Sequence, residues 1–262
     1  MNWIHRVDIR WLMSRRDVLT ASEVVRLIPE WKRVKAGKQR RSDILPMCGA
    51  LWAEKNTATE PDPVSVGPAA RGHYMEPYAV ETVNRYLGVE RFHHWDDCVV
   101  KNLGLGFSPD AMDIRQEHDG VECSYRGGSI VYTEGKKRTI LKAPHEILEI
   151  KSYLPDHHMR SILKDRMDQD EIYQIAVAFA VIPDLEKATL VFYCPDSPYP
   201  TVLFEYSRDD LAEKVEQVLD VAMLYHAQAL KLEHLDDRFP RIEPVASDAE
   251  VWRLEMSDKT RV

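Results

Sequence analysis

The sequence predicts an α/β protein in which a mixed central sheet is flanked by helices. Three observations favour this class. The chain has 262 residues, 44% of them hydrophobic, which is enough for one sizeable core. Apolar residues recur at helical spacing in some segments and form short β-rich runs in others. Proline and glycine clusters separate these segments without an internal repeat, so we expect a single domain over 1–262.

The N-terminal third is expected to be helical. A first helix within 11–34 opens after Thr20-Ala21-Ser22, where a hydroxyl can cap it. A basic, glycine-containing run follows at 35–42, and residues 57–68 have the proline and threonine content of a loop. A second helix is expected over 69–86. Its apolar positions, spaced for burial of one face, are Tyr74, Tyr78, Val80 and Val83.

The middle of the chain is expected to be β-rich. Residues 98–107 resemble a strand with a glycine-rich end. Residues 120–142 contain two β-rich runs around Gly127-Gly128 and Gly135, which predicts an inserted hairpin within a segment of about 114–142.

The remaining elements alternate between strands and helices. A strand over 145–153 is apolar enough for a buried sheet, and a helix over 161–182 follows. A strand over 189–193 precedes a long amphipathic helix over 209–235. The C-terminal helix and tail together occupy about 209–262, and the tail after Pro240 is expected to be loosely held.

Charge and composition exclude several classes of protein. The formal net charge of −8 argues against a protein that coats DNA nonspecifically, although an enzyme can gather positive charge in one groove. No apolar run approaches the ~20 residues that span a bilayer, so a soluble cytoplasmic protein without a membrane partner is expected. The four cysteines stand singly, which favours reduced, buried thiols over a disulfide framework or a zinc site.

Two separated stretches carry the clearest chemical pattern. Side chains alternate along a strand, so Glu149 and Lys151 project from one face while Ile150 enters the core. Asp110, in Ser108-Pro109-Asp110, can meet Glu149 from a neighbouring strand end. Two carboxylates with a main-chain carbonyl suit a hard cation such as Mg²⁺. Each stretch alone is typical of a surface ion pair or a turn, but together they indicate a metal-dependent hydrolytic centre.

Five motifs in order resemble those of a known family. They are Trp11-Leu-Met-Ser-Arg15 running on to Leu19-Thr-Ala-Ser-Glu23, Gly72-His-Tyr-Met-Glu76, Ser108-Pro109-Asp110, Leu148-Glu149-Ile150-Lys151, and Tyr173-Gln174-Ile175. Over about 11–181 the chain thereby resembles the PD-(D/E)XK nucleases, and among them the lambda exonuclease or YqaJ-type phage recombination nucleases. The resemblance implies a restriction-endonuclease-like core.

The resemblance also implies a metal site. Asp110 and Glu149 would be ligands, together with the main-chain carbonyl of Ile150. Glu76 would support a second metal position or its water shell. Two Mg²⁺ ions are expected, with Mn²⁺ able to substitute.

Further roles follow from the same resemblance. Lys151 would position or deprotonate the attacking water, and Gln174 would orient groups near the site. Arg15, Ser22 and Ser108 match the positions that hold the 5′-terminal phosphate of DNA, a task suited to a guanidinium and to hydroxyls at a helix start.

The activity implied is 5′-to-3′ digestion of one strand of duplex DNA, beginning at DNA ends. Members of this family often form a ring-shaped trimer and act beside a single-strand annealing protein. The expected setting is the cytoplasm of a bacterium or of a phage-infected host cell.

Two features depart from the family pattern. Ala176 stands where a second glutamine is often found, and Glu149 follows Asp110 by 39 positions, a longer interval than in a compact hairpin. The extra segment contains basic residues, and it is either a DNA-contacting flap or a surface hairpin.

Two other hypotheses remain open at this point. One is an endonuclease or a Cas4-like enzyme, which would require a four-cysteine iron–sulfur cluster. The other is a non-catalytic DNA-end-binding protein of the same fold, whose usual mark is the loss of an acid or of the lysine. His93-His94 and His157-His158 lack partners at ligand spacing and are not expected to bind metal.

Overall fold

A buried strand that ends in the E-x-K pattern lies at the centre of a five-stranded sheet. The computed structural model describes residues 4–38, 44–56, 64–115, 122–134, 137–164 and 170–233. The helices are α1 Ile9–Ser14, α2 Ala21–Lys35, α3 Leu45–Lys55, α4 Pro68–Leu87, α5 Pro155–Leu163, α6 Asp170–Val181 and α7 Ala212–Glu233. The strands are β1 Ile4–Arg6, β2 Leu19–Thr20, β3 Val64–Val66, β4 His93–His94, β5 Val99–Asn102, β6 Leu105–Phe107, β7 Ala111–Met112, β8 Glu122–Tyr125, β9 Ser129–Glu134, β10 Lys137–Lys142, β11 Glu146–Lys151, β12 Lys187–Tyr193 and β13 Thr201–Ser207.

The five-stranded sheet has the order β13-β12-β11-β7-β4. Strands β11 and β12 are parallel, whereas β13 and β7 pair with them in antiparallel fashion. Parallel neighbours buried on both faces are expected to be continuously apolar, and β12 is buried from Ala188 to Phe192. Strand β11 is therefore an interior strand, paired with β12 on one side and β7 on the other.

A six-stranded sheet has the order β10-β9-β8-β5-β6-β2, and β1 pairs with β3 in a separate ribbon. Helix α6 lies against both larger sheets, since it contacts β5, β6 and β12 as well as helices α2 and α7. It is apolar all round, and every residue from Ile172 to Val181 except Gln174 is buried. Such a helix belongs in a core and not at a surface.

The opposite face of β11 packs against α4. Leu148 and Ile150 join Ala79, Val80 and Val83 in one buried cluster. Successive side chains of β11 therefore point alternately toward α4 and toward the face of the sheet on which α6 lies. The predicted mixed sheet flanked by helices is confirmed.

Several predicted elements are divided differently in the structure. The strand expected over 98–107 is the hairpin β5–β6, because Leu103 and Gly104 turn the chain with φ of 52° and 73°. A Cβ at Gly104 would lie 2.3 Å from His226 Nε2, so any other residue there would be strained in its backbone and would displace the His226 ring. The helix expected over 161–182 is two helices, α5 and α6, and the helix within 11–34 is α1 and α2.

The segment expected to hold a hairpin contains three strands. β8, β9 and β10 continue the six-stranded sheet through parallel pairing of β8 with β5. Residues 64–66 of the expected loop form β3, and β13 was not expected at all. Parts of the basic run, of the 57–68 loop and of the 114–142 segment lie outside the described residues, as does the tail from 234. Within the described part of the chain, no helix has both the length and the apolar character to cross a membrane.

Replacement of Leu148 by alanine tests the packing of β11 on α4. Leu148 is fully buried, so the change is expected to lower the free energy of unfolding by about 2–5 kcal/mol. Leu230→Ala is the control, since Leu230 is 58% exposed and its loss is expected to cost less than ~0.5 kcal/mol. Denaturant titration measures both values. Equal losses in the two variants would contradict the packing described.

Candidate active site

Strand β11 places an acid and a lysine on the same face of the sheet. Glu149 is 6% exposed, and the Lys151 Nζ donates to its Oε1 at 2.6 Å. Ile150 points to the other face, where it is buried against α4. The alternation predicted for these three residues is therefore present.

Strand β7 brings the second acid to this pair. Ala111 lies opposite Leu148 in the antiparallel β7–β11 register, so Asp110 arrives beside Glu149. The Asp110 Oδ2 accepts a hydrogen bond from the Ile150 main-chain N–H at 2.5 Å. The structure thus brings Asp110, Glu149 and Lys151 together at one end of β11.

The charges of these groups are strongly interdependent. Burial raises the pKa of Asp110 well above its usual range, and the charges of Glu149 and Glu76 add to this effect. Burial alone would lower the pKa of Lys151, but the charges of Glu149 and Asp110 outweigh it and raise that pKa. The site therefore contains a protonated lysine beside Glu149, and the charge of Glu149 opposes ionisation of Asp110.

The available donors fit a hard cation that keeps water ligands. Among the described residues, the second oxygens, Oδ1 of Asp110 and Oε2 of Glu149, have no hydrogen-bond partner. No group of three or more histidine, cysteine, aspartate or glutamate side chains is arranged to hold a metal in the described chain. The Asp110 and Glu149 carboxylates are hard oxygen donors of the kind with which Mg²⁺ keeps several of its waters.

Glu76 approaches the same site from α4. Its Oε2 lies 3.3 Å from His94 Nε2 and its Oε1 lies 3.5 Å from His73 Nδ1. Burial pushes the pKa of Glu76 upward, but the two histidines outweigh burial and lower it to about 2. After burial and the charge of Glu149, its charge is the third contribution to the raised pKa of Asp110. Glu76 is thus an ionised carboxylate near the pair, already engaged by His73 and His94.

A polar cleft of about 650 Å³ opens beside Lys151. Gln174 lines it from α6, and its Oε1 is buried with no hydrogen-bond partner. Tyr153, which the sequence analysis missed, donates to Glu171 Oε1 at 3.0 Å and meets the His157 ring edge-on at 4.2 Å. The other lining residues are Ser161, Lys164 and Asp170. A larger groove of about 770 Å³ runs along α4, but Asp110, Glu149 and Lys151 do not line it.

The three predicted phosphate-binding residues lie near one sheet edge. Strands β2 and β6 are parallel, so the residues that follow them, Ser22 and Ser108, leave the sheet at the same edge. Trp11 connects the others, since its Nε1 donates to Ser108 Oγ at 3.1 Å and the Arg15 guanidinium lies 4.5 Å from its ring centroid. Ser108 is two residues from Asp110, so this cluster adjoins the carboxylates.

Arg71 is a second residue that the motifs did not single out. It is 5% exposed, and its Nη1 donates to the Ser152 carbonyl, the Ser152 hydroxyl and the Tyr153 carbonyl at 2.8–3.2 Å. It therefore ties the start of α4 to the chain that leaves Lys151. In the sequence, only its position directly before the Gly72–Glu76 motif pointed to Arg71.

The fold has counterparts among solved structures. No protein-family model matches the chain, and no curated protein matches it closely enough to be a relative. A crystal structure of an alkaline exonuclease (LHK-Exo) from Laribacter hongkongensis aligns with a TM-score of 0.57 at 16% identity, over 87% of this chain and 98% of that one. The LHK-Exo complex with dAMP aligns with a TM-score of 0.56 over the same shares, also at 16% identity. The chain therefore has the fold of this alkaline exonuclease.

Asp110→Asn is expected to stabilise the metal-free protein near neutral pH. A raised pKa means that the folded state binds a proton more tightly than the unfolded chain, so stability falls as pH rises toward that pKa. An amide carries no charge, yet its oxygen can still accept from Ile150 N–H. We expect the melting temperature at about pH 8 to rise by roughly 2–4 °C, as ~1 kcal/mol would produce.

The pH dependence is the control for this prediction. The gain should shrink as pH falls toward ~4, where the unfolded carboxyl is also protonated. Thermal unfolding in EDTA measures both values. A variant that is less stable than the wild-type protein at about pH 8, or a gain that grows in acid, would contradict the prediction.

Proposed function

We propose that this protein is a Mg²⁺-dependent DNA exonuclease that digests one strand of duplex DNA from the 5′ end, in phage-type recombination. The observation that carries the proposal is the meeting of Asp110, Glu149 and Lys151 at the end of β11. The similarity of fold to an alkaline exonuclease supports it. Fold alone does not define function, so the weight rests on these three residues.

Asp110 and Glu149 would hold the cation, with the Ile150 carbonyl as the main-chain donor and Glu76 supporting a second ion. Mn²⁺ is expected to substitute for Mg²⁺. When bound, such a cation polarises a phosphodiester and lowers the pKa of a coordinated water. The protein's own contribution is to hold the acids in place, as the Ile150 N–H does for Asp110.

Lys151 acts as a cation in this proposal. Its raised pKa keeps it protonated beside Glu149, so it donates hydrogen bonds. A protonated lysine at this position can orient a water and offset negative charge that grows on phosphate oxygens. Gln174, with its unpaired buried oxygen, would orient groups on the cleft side.

Arg15, Ser22 and Ser108 would hold the 5′-phosphate. Burial lowers the pKa of Arg15, with Glu23 opposing that effect, and its guanidinium has no hydrogen-bond acceptor among the described residues. A half-buried guanidinium without an acceptor favours an anionic ligand. Ser22 lies in the first turn of α2, where main-chain N–H groups also favour an anion.

The assembly and the partner belong to the same proposal. We infer a homo-oligomer, a trimer by family resemblance, that acts on double-stranded DNA ends beside a single-strand annealing protein. Light scattering tests the oligomeric state, and a monomer at working concentration would count against the ring.

The arrangement of the cysteines speaks against the Cas4-like alternative. All four cysteines are buried, and only Cys98 and Cys123 form a close pair, with sulfurs 3.1 Å apart. No three of them come together in the described chain, which includes all four. Both acids and the lysine are present, so the usual mark of a non-catalytic protein of this fold is missing.

The direct experiment uses one linear duplex with 5′-phosphate or 5′-hydroxyl ends, beside a closed circle, in Mg²⁺. Loss of the phosphorylated linear DNA with an intact circle is the expected result. Cutting of the circle would instead favour an endonuclease. No cutting of any substrate in Mg²⁺ or Mn²⁺ would contradict the proposed active site.

Lys151→Met is expected to lower the cleavage rate by about 10²–10⁴-fold, because charge on the phosphate is no longer offset. Lys187→Met is the matched control, since Lys187 begins β12 opposite Glu146, at the other end of β11 from Lys151. The rate of digestion and the affinity for duplex without divalent cation are measured for both variants. Full activity of Lys151→Met, or an equal loss in both, would contradict the assigned role.

A further inference from the structure

Lys55, the last residue of α3, lies beneath the segment that joins α1 to α2. Its side chain is 7% exposed. Its Nζ donates to the Arg15 carbonyl at 3.0 Å and the Val18 carbonyl at 2.6 Å, and it pairs with Glu23 Oε2 at 2.8 Å. A lysine ammonium has three N–H donors, so these partners occupy all of them.

These partners belong to two parts of the proposed 5′-phosphate-binding site, namely Arg15 and the start of α2, which carries Ser22. The Arg15 carbonyl lies on the residue whose guanidinium stacks on Trp11. Glu23 follows Ser22 in the first turn of α2, and its Oε2 also accepts from the Thr20 N–H at 2.7 Å. Lys55 therefore fixes Arg15 relative to the start of α2.

A direct contact between Lys55 and DNA does not fit this geometry. The ammonium is buried, its donors are occupied, and the charge of Glu23 lies next to it. Burial lowers the pKa of Lys55, and the charge and hydrogen bond of Glu23 oppose that shift. A buried cation costs desolvation free energy unless its partners compensate, so a residue that only filled space would be apolar.

We propose that Lys55 is a positioning residue for recognition of 5′-phosphorylated DNA ends. By holding the Arg15 carbonyl and Glu23 together, it sets the distance between the guanidinium and the α2 N-terminus. The protein thereby distinguishes a 5′-phosphate from a 5′-hydroxyl. This inference rests on the proposed function of Arg15, Ser22 and Ser108.

The test compares the full chain with the variants Lys55→Met, Glu23→Gln and Lys187→Met. Duplexes with a 3′ label and either 5′ end are titrated without divalent cation, and KM and kcat are measured separately in Mg²⁺. In Lys55→Met the binding advantage of the phosphorylated end is expected to fall roughly tenfold. KM for that end should rise while kcat and all values for 5′-hydroxyl DNA stay constant.

Glu23→Gln is the second variant, because Lys55→Met leaves buried acceptors unpaired and can fail to fold. Glutamine keeps the size of Glu23 but removes its charge, so a severalfold loss of the same advantage is expected. If Lys55 acted only as a positive charge near the phosphate, Glu23→Gln would strengthen binding of the phosphorylated end. An unchanged or larger advantage in Glu23→Gln would therefore overturn the positioning role.

The control variant and the wild-type protein separate the possible failures. Lys187→Met is expected to behave like the wild-type protein, and an equal loss there would overturn a specific role for Lys55. If the wild-type protein prefers phosphorylated ends and folded Lys55→Met prefers them equally, the role of Lys55 is overturned while the proposed 5′-phosphate-binding site stands. If the wild-type protein showed no preference for 5′-phosphorylated ends, both the proposed 5′-phosphate-binding site and the role of Lys55 would be overturned.

Discussion

The repulsion between two carboxylates at the end of a buried strand is the constraint on which the site depends. Asp110 and Glu149 are brought together by the β7–β11 pairing, and burial raises the pKa of Asp110 well above its usual range. Such an arrangement opposes folding unless positive charge compensates it. Lys151 supplies one charge at 2.6 Å from Glu149, and the Ile150 N–H supports Asp110. A divalent cation would supply the remainder, and this is the basis of the proposed metal dependence.

The packing around β11 explains how this constraint is tolerated. Leu148 and Ile150 are buried against α4, while the other face lies toward α6, which is buried along nearly its whole length. The core thus fixes the strand on both sides, and the polar residues occur where the strand ends. Two buried cations outside the sheet also hold main-chain carbonyls in place. Arg71 holds those of Ser152 and Tyr153, which follow Lys151, and Lys55 holds those of Arg15 and Val18.

The sequence predicted those features that depend on local periodicity. The common face of Glu149 and Lys151 follows from the period of two along a strand, and the order of the motifs indicated that Asp110 would join them. The division of 161–182 was missed because both halves have helical periodicity, whereas Lys164 adopts an extended conformation with ψ of 155°. Strand β13 was missed although Val202, Leu203, Phe204 and Tyr206 favour a strand, because its three consecutive apolar residues do not alternate with polar ones.

Tertiary contacts account for the residues that the sequence did not indicate. Lys55 looks like an ordinary lysine at a helix end, and its carbonyl partners are 37 and 40 residues away. Arg71 reaches residues 81 and 82 positions away. Long-range hydrogen bonds of this kind leave no periodic pattern, so only the folded chain identifies them.

The most direct test of the central claim is anomalous diffraction from crystals soaked in Mn²⁺. The carboxylate pair is the reason for the proposed metal dependence, and Mn²⁺ accepts the same oxygen donors as Mg²⁺. An anomalous peak is expected between the Asp110 and Glu149 carboxylates, with the Ile150 carbonyl at its edge. Full occupancy of Mn²⁺ elsewhere on the protein, with no peak at this pair, would contradict it.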